Sequence, residues 1–233
     1  MIDRLRVGII RSAMILLVSV LSASAAAQPA PILASRLGIT FISSLDHPAN
    51  ELRYQRALLL GAGWNRWPLY WDRAERSPGV FDWSSYDRLV QADLEHGLRL
   101  NVILLGRPGF HASGGSIGGL NSPVFSDGTD EIGPGKQING ANPWAVFVSS
   151  AVLRYKPGGS LAAQLGWPVN RGVTVWEAWN EPDLPLFWTG GVEQYARLLK
   201  VTYLSAHQAD PNAMVMFGGL AYGNPDENDW LAK

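Results

Sequence analysis

The sequence predicts a parallel α/β fold, and three observations support this prediction. Strand and helix patterns alternate about five times along residues 37–233, as expected of a parallel sheet joined by right-handed crossovers. Residues 98–105 are apolar on both faces, which is typical of a strand covered on both sides. Residues 173–183 have a strand pattern that runs to Trp179 and places Asn180 and Glu181 at its carboxyl end. Ligands of such folds bind at the carboxyl ends of strands.

The composition is that of one globular domain. Of the 233 residues, 47% are apolar, so the chain can bury a substantial core. The absence of cysteine excludes disulfides and thiolate zinc sites. The formal net charge is −1, and no basic field indicates a nucleic acid or an anionic lipid as partner.

Residues 1–27 have the pattern of a secretory signal peptide, with three arginines, an apolar core and a closing run of alanines. We expect cleavage before Gln28, a short tether over residues 28–36, and a secreted or periplasmic protein without stable membrane insertion. Removing this segment, which carries three Arg and one Asp, changes the formal charge from −1 to −3. A membrane anchor is the weaker alternative, because the uncharged run over residues 12–27 is shorter than the roughly 18 residues that a spanning helix needs.

The first β/α unit is predicted from residue 37 onward. Residues 37–43 predict a strand, and Pro48 opens a helix over residues 51–60 that two glycines end. The apolar residues of this helix are Leu52, Leu58 and Leu59.

The second unit combines a strand over residues 64–70, which contains Arg66, with a helix whose Ser84 and Asp87 have capping-box spacing. The buried face of this helix is predicted to be Tyr86, Leu89, Val90 and Leu94, followed by a C′ glycine, Gly97. The third strand is predicted over residues 98–105.

A long segment over residues 106–141 is rich in Gly, Ser and Pro and has no periodicity. Loops of this length inside a domain are functional or disordered. Because it follows the carboxyl end of a strand, it is either an active-site rim loop or an insertion without a role. His111 within it would face either a sugar or solvent.

The third helix begins at Asn142 and Pro143. Its apolar residues recur at helical spacing and are Trp144, Phe147, Val148, Ala151, Val152 and Tyr155. A fourth helix over residues 192–208 is predicted to turn Tyr195, Ala196, Leu199 and Tyr203 inward. A fifth strand over residues 213–217 and the beginning of a fifth helix over residues 226–233 complete the pattern.

The run from Trp176 to Pro182, followed by Asp183-Leu184 and Phe187-Trp188, resembles the strand-four signature of the clan A retaining glycoside hydrolases. The similarity is closest to glycoside hydrolase family thirty-nine, the β-xylosidase and α-L-iduronidase family. The resemblance implies that Glu181 is the general acid/base and that Asn180 binds the sugar 2-hydroxyl.

Combined with the strand and helix alternation, the resemblance favours a (β/α)8 TIM barrel. A doubly wound α/β sheet is the alternative, although no Gly-rich phosphate loop follows the first strand. Four units already occupy about 180 residues, whereas a barrel of eight typically has about 250. We therefore expect residues 37–233 to be the amino-terminal part of a barrel domain, with about five of eight units and a reading frame that continues beyond Lys233.

Retaining hydrolysis requires two carboxyl groups about 5 to 5.5 Å apart. The resemblance implies that the second one, the nucleophile, is a Glu on strand seven, beyond this sequence. Glu177 faces the same way as Glu181 by the strand period, but lies roughly 13 Å back at ~3.3 Å per residue. We interpret it as a buried carboxylate that either is structural or supports the residues that contact the sugar, and that needs a cationic or hydrogen-bonding partner.

Further site residues are predicted with an alternative for each. The resemblance implies that Arg66 orients the nucleophile, and the alternative is an interior ion pair. Trp179 and Trp188, with Phe187, would stack on sugar rings or simply cover the core.

No metal or organic cofactor is indicated. The predicted function is a secreted retaining glycosidase acting on poly- or oligosaccharides, inactive as this fragment alone because the nucleophile is missing. The alternative is a non-catalytic carbohydrate-binding or cell-surface protein on a decayed barrel. The sequence indicates no oligomeric state.

Overall fold

The computed structural model describes residues 36–114 and 116–221. The predicted signal peptide, all of the tether except Arg36, and the predicted final helix lie outside the described residues. Among those that are described, no helix is both long and apolar enough to cross a membrane.

The main sheet has five strands, all parallel. They are β1 (Gly38–Thr40), β2 (Trp64–Tyr70), β3 (Arg99–Leu105), β4 (Val175–Ala178) and β5 (Met214–Phe217). Each strand pairs with the next one along the chain. This order is that of consecutive units of a (β/α)8 barrel, whereas a doubly wound sheet reverses its order at a switch point. The α/β prediction is confirmed as a partial barrel, and the doubly wound alternative is wrong.

Two strand ends differ from the prediction for the same reason. β1 ends at Thr40 instead of residue 43, because Phe41 adopts a left-handed backbone with φ 60°. β4 ends at Ala178 rather than at Trp179, whose φ is 71°. Propensity alone does not reveal such turns, since aromatic residues favour strands.

Helices cover the outer face of the sheet. They are α1 (Glu51–Leu59), α2 (Trp71–Ala74), α3 (Ser84–Glu95), α4 (Pro143–Tyr155), α5 (Ser160–Leu165) and α6 (Val192–Ala209). The sequence did not predict the short helices α2 and α5, nor the small strand pairs Glu75–Ser77 with Val80–Phe81 and Ala112–Ser113 with Ser116–Ile117.

Helix faces were predicted well for α3 and α4. All six apolar residues proposed for α4 are buried, and Asn142 Oδ1 accepts a hydrogen bond from the Ala145 N–H at the helix start. The four residues proposed for α3 are also buried, and Gly97 ends that helix with φ 78°. The capping box is wrong, because Asp82 accepts from the Ser84 N–H while Asp87 pairs with Arg154.

The predicted faces of α1 and α6 are partly wrong. On α1, Leu52 and Leu59 are exposed, and Tyr54 and Ala57 are the buried pair. The Tyr54 hydroxyl donates to the buried Asp93 carboxylate at 2.6 Å, and this polar contact sets the inward face of α1.

On α6, Tyr195 is buried as predicted and Leu199 partly so, whereas Ala196 and Tyr203 are exposed. The Tyr203 ring packs on His207, one turn further along the solvent side. The buried face of α6 consists of Tyr195, Leu198, Val201, Thr202, Ser205, Ala206 and Ala209.

The segment over residues 106–141 is packed against the domain. Val124 and Phe125 are fully buried, and the Arg197 guanidinium on α6 donates to the carbonyl oxygens of Leu120 and Ser122. The absence of periodicity therefore reflects irregular backbone held by side-chain contacts.

Candidate active site

The turn after β4 carries Asn180 and Glu181 at the carboxyl edge of the sheet. Trp179 and Glu181 both have left-handed backbones, with φ of 71° and 43°. Such conformations cost non-glycine residues roughly 1–2 kcal/mol each and cluster at functional sites. They also break the strand alternation, so the shared face expected for Glu177, Trp179 and Glu181 is wrong.

A short segment after β5 holds this strained turn in place. The Gly219 carbonyl oxygen accepts from the Glu181 N–H at 2.9 Å, and the Gly219 N–H donates to Glu177 Oε1 at 3.1 Å. The Ala221 N–H lies 3.1 Å from both carboxylate oxygens of Asp183. Residues 218–221 thus fix the backbone on which Glu181 is presented.

Glu177 is a fully engaged buried carboxylate, only 2% exposed. Arg66 binds it in a bidentate manner, with Nε to Oε2 at 2.8 Å and Nη2 to Oε1 at 2.6 Å. Asn101 Nδ2 donates to Oε2 at 2.9 Å, and Gly219 adds a fourth hydrogen bond. The partner that the sequence required for Glu177 is therefore Arg66, and the expected burial and pairing of Glu177 are confirmed.

Asn180 is oriented by the same arginine. Arg66 Nη2 donates to Asn180 Oδ1 at 2.9 Å, which assigns the amide oxygen to the arginine side. The Asn180 Nδ2 group has no partner among the described residues, so it can donate to a ligand hydroxyl. Arg66 therefore contacts Glu177 and Asn180 together.

The Glu181 carboxylate differs from that of Glu177. It is half-buried, and no group in the part of the chain that the structure describes donates a hydrogen bond to it. A carboxyl group held on a fixed backbone with its oxygens unbound is available to exchange a proton with a ligand.

Trp179 and Trp188 are each 7% exposed and form an edge-to-face pair with ring centroids 5.3 Å apart. Their indole N–H groups donate to the carbonyl oxygens of Phe187 and Gly191. Their contacts extend an aromatic row that includes Trp144 and Tyr195. Both rings are mainly core, although each reaches a cleft of about 300 Å³ between the loops after β3 and β4.

His111 contacts a different cluster. Its Nε2 lies 3.1 Å from Glu75 Oε1, and its ring stacks on Trp71 with centroids 5.0 Å apart. None of its contacts among the described residues involves Arg66, Asn180 or Glu181. The structure therefore brings Arg66 and Asn180 into contact, with Glu181 next to Asn180 in the same turn, and leaves His111 outside this group.

Sequence reasoning missed four contributors to the site, namely Asn101, Tyr195, Gly218 and Gly219. The Tyr195 hydroxyl donates to the Ala178 carbonyl oxygen and accepts from the Gly218 N–H, both at 2.8 Å. Burial, reinforced by the charge of Glu177, raises the pKa of Tyr195, so the hydroxyl keeps its proton. The Gly-Gly pair directly after a predicted strand was a usable signal for close backbone approach.

Within residues 36–114 and 116–221, no three His, Cys, Asp or Glu side chains are grouped so that they could hold a metal ion. The polar groups of the site are the Arg66 guanidinium and the side-chain and backbone amides. Arg66 binds the Asn180 amide, and the carboxylates of Glu177 and Asp183 accept hydrogen bonds from these groups.

No protein-family model and no curated protein matches the chain. Solved structures that do match include a family 39 glycoside hydrolase from the gut symbiont Bacteroides cellulosilyticus WH2, with a TM-score of 0.45 and 20% identity over 72% of this chain and 28% of that one. An endoglucanase from Pseudomonas stutzeri has a TM-score of 0.49 and 11% identity, over 77% of this chain and 46% of that one. Endo-glycoceramidase II from Rhodococcus sp. has a TM-score of 0.47 and 17% identity, over 84% and 52%.

The chain thus spans between about a quarter and a half of these proteins' lengths. The fold assignment rests on the strand order rather than on these likenesses.

Proposed function

We propose that the chain is the amino-terminal part of a retaining O-glycosidase acting on poly- or oligosaccharides, exported through the signal peptide of residues 1–27. The observation that supports this function best is the position of Glu181. It follows the fourth strand of a sequentially ordered parallel sheet, on a strained backbone fixed by Gly219, with its carboxylate unbound by described residues.

In the proposed reaction, Glu181 gives its proton to the glycosidic oxygen as the bond to the anomeric carbon breaks. Asn180, whose amide oxygen is held by Arg66, donates from Nδ2 to the sugar 2-hydroxyl. This hydrogen bond strengthens as charge develops on the sugar ring. Arg66 acts through Asn180 and Glu177 and does not need to contact the sugar.

The nucleophile must be a second carboxylate on the opposite side of the sugar. Of the acids nearest Glu181 in sequence, Glu177 is bound by Arg66, Asn101 and Gly219, and Asp183 is bound by the Ala221 N–H. Neither is free to attack. The family resemblance assigns the role to a Glu on a later strand, outside the sequence.

The same observation favours a second candidate, a carbohydrate-binding protein without catalysis. A site with Asn180 and an unbound carboxylate, but no attacking group among the described residues, can still hold a sugar. The two functions differ in what happens when a nucleophile is supplied.

Azide can supply that nucleophile. The full chain is incubated with aryl and alkyl glycosides of xylose, glucose and mannose in concentrated azide. A bond forms from azide nitrogen to the anomeric carbon, the bond to the leaving oxygen breaks, and Glu181 gives the leaving oxygen its proton. The proposed glycosidase yields the glycosyl azide with inverted configuration.

Glu181→Gln should abolish azide-dependent cleavage of the alkyl glycosides but spare activated aryl glycosides, which need no acid. Glu193→Gln, on the exposed side of α6, is the matched control and should change neither. Sugar binding without azide-dependent product would favour the binding protein, and equal loss on both substrate types would contradict the role of Glu181.

A further inference from the structure

We propose that the cleft between the loops after β3 and β4 is a subsite for a sugar bearing an anionic group, carboxylate or sulfate, and that Arg107 recognises this group. The proposal rests on the proposed function, since it names a feature of the substrate. It makes Arg107 a specificity-determining residue for the part of the glycan beside Glu181.

The cleft has the size and position of a single sugar subsite. Its volume of about 300 Å³ lies at the lower end of the range for small-molecule sites. Arg107 and Ser116 line one side, and Trp179, Leu186 and Thr189 line the other. Because Trp179 precedes Glu181 by two residues, the cleft adjoins the turn that carries the proposed acid.

The absence of an acidic partner among the described residues distinguishes Arg107 from three of the other half-buried arginines. The described residues include five of these, namely Arg66, Arg107, Arg154, Arg171 and Arg197. Three of them pair with carboxylates, and Arg171 lies over the ring of Trp167. Arg107 donates one hydrogen bond to the Ser116 carbonyl oxygen and forms no ion pair with any described acid.

Asp72, which contacts the residue before Arg107, does not neutralise the guanidinium. The Asp72 carboxylate packs against Gly106, with Oδ1 only 2.3 Å from where a Cβ at Gly106 would lie, yet it makes no ion pair with the guanidinium. A partly desolvated cation without a counter-charge is costly, and an anionic ligand would offset that cost. The planar guanidinium matches a carboxylate or a sulfate through paired N–H donors.

The rest of the lining fits a sugar ring. Leu186, which is 84% exposed, lines the cleft together with the aromatic residues Trp179, Phe187 and Trp188. Sugar C–H groups pack on such surfaces. The hydroxyls of Ser116 and Thr189 add polar groups on opposite sides.

The test measures glycan binding to the full chain by isothermal titration and by tryptophan fluorescence. Tri-galacturonate is compared with its fully methyl-esterified form, which has the same sugars without charge. A sulfated galactose oligosaccharide is compared with its desulfated form. We expect at least one anionic probe to bind at least about tenfold more tightly than its neutral partner, since hydrogen bonds to charged groups are the stronger ones.

Arg107→Gln should remove this preference, and Arg107→Lys should retain part of it. Arg88→Gln, on the exposed surface of α3, is the control and should leave it unchanged. Unchanged thermal unfolding of Arg107→Gln would show that loss of the Ser116 contact is not the cause.

The subsite proposal would be overturned if neither anionic glycan bound more tightly than its neutral counterpart. It would also be overturned if the tighter binding of the anionic glycan persisted in Arg107→Gln. In that case neutral glycans that still bind, and that bind less well to Asn180→Ala, would leave the proposed function standing. If no glycan binds the wild-type chain, both proposals fail.

Discussion

At the residue scale, one guanidinium group holds two parts of the candidate site. Arg66 binds the buried carboxylate of Glu177 and the amide oxygen of Asn180. Removing one partner of a buried ion pair typically costs about 3–5 kcal/mol, because the other charge is left without compensation. We expect Arg66→Met to lower the free energy of unfolding by about that amount, as measured by urea denaturation.

Replacing both partners should be less harmful than replacing one. In Arg66→Met combined with Glu177→Leu, no buried charge remains, so the double variant should be more stable than Arg66→Met alone. Additive losses in the two single variants and the double variant would contradict the coupling between Arg66 and Glu177.

Gly218 provides a second residue-scale prediction. A Cβ there would lie 2.9 Å from the Ala178 carbonyl oxygen and 3.0 Å from that of Trp179, so the two strand ends would have to separate. Gly218→Ala should destabilise the fold by about 1–3 kcal/mol. Gly140→Ala is the control, since a Cβ there meets nothing within 4 Å. Equal thermal unfolding of the two variants would show that the close approach is not required.

The sequence was sufficient to predict Asn180 and Glu181, because a catalytic motif lies within one short segment. It was not sufficient for side chains whose contacts are far apart in the sequence. Asn101 and Gly219 reach Glu177 from 76 and 42 residues away. No pattern within one segment predicts such pairs. The left-handed backbone of Trp179 could not be predicted from the sequence either. Aromatic residues favour strands, and here the tertiary structure imposes a different conformation.

At the element scale, α6 anchors the loop over residues 106–141 through Arg197, together with Lys200 and Gln208. Arg197 pairs with Asp130 and donates to two loop carbonyl oxygens. Partial burial alone would raise the pKa of Asp130, but the hydrogen bonds from Arg197 and from the Val124 N–H lower it well below its usual 3.8.

This pKa shift predicts how the anchor responds to acid. A carboxyl whose pKa is depressed by folding stabilises the folded state fully above its unfolded pKa, and this contribution is lost as pH falls below that value. We expect hydrogen exchange of the loop amides to increase, relative to that of α4, as pH falls below about 4. Asp130→Asn should remove this pH dependence, whereas Glu131→Gln, an exposed neighbour, should preserve it. A loop that responds identically in both variants would contradict the anchor.

The elements also show when periodicity identifies a buried face. In α4 the buried residues are large and apolar, so the pattern is unambiguous. In α6 the buried face includes Thr202, Ser205 and Ala206, while the aromatic Tyr203 faces solvent. Small polar residues can be buried where helices approach closely, and hydrophobicity alone then points to the wrong face.

At the scale of the whole molecule, the strand and helix alternation was enough to predict a parallel α/β fold, since parallel strands joined by helices leave few topologies. The choice of a barrel over a doubly wound sheet also needed the resemblance. The inner face of the sheet was less predictable. Met214 and Met216 of β5 are 55% and 45% exposed, and they line a cavity of about 440 Å³ together with Ile39, Trp64 and Val175. Among the described residues, β1 and β5 each pair with a strand on one side only.

An apolar face that residues 36–114 and 116–221 leave open, between two edges that these residues leave unpaired, favours self-association. We expect the full chain to bind a dye that fluoresces on apolar surfaces and to sediment as larger species when its concentration is raised. Met216→Lys should reduce both signals by placing a charge on that face. Val169→Lys is the control, because Val169 is an isolated residue, 83% exposed and remote in sequence from β5, so its replacement should change neither signal. If the wild-type chain stays monomeric and does not increase the fluorescence of the dye, the inner face is covered.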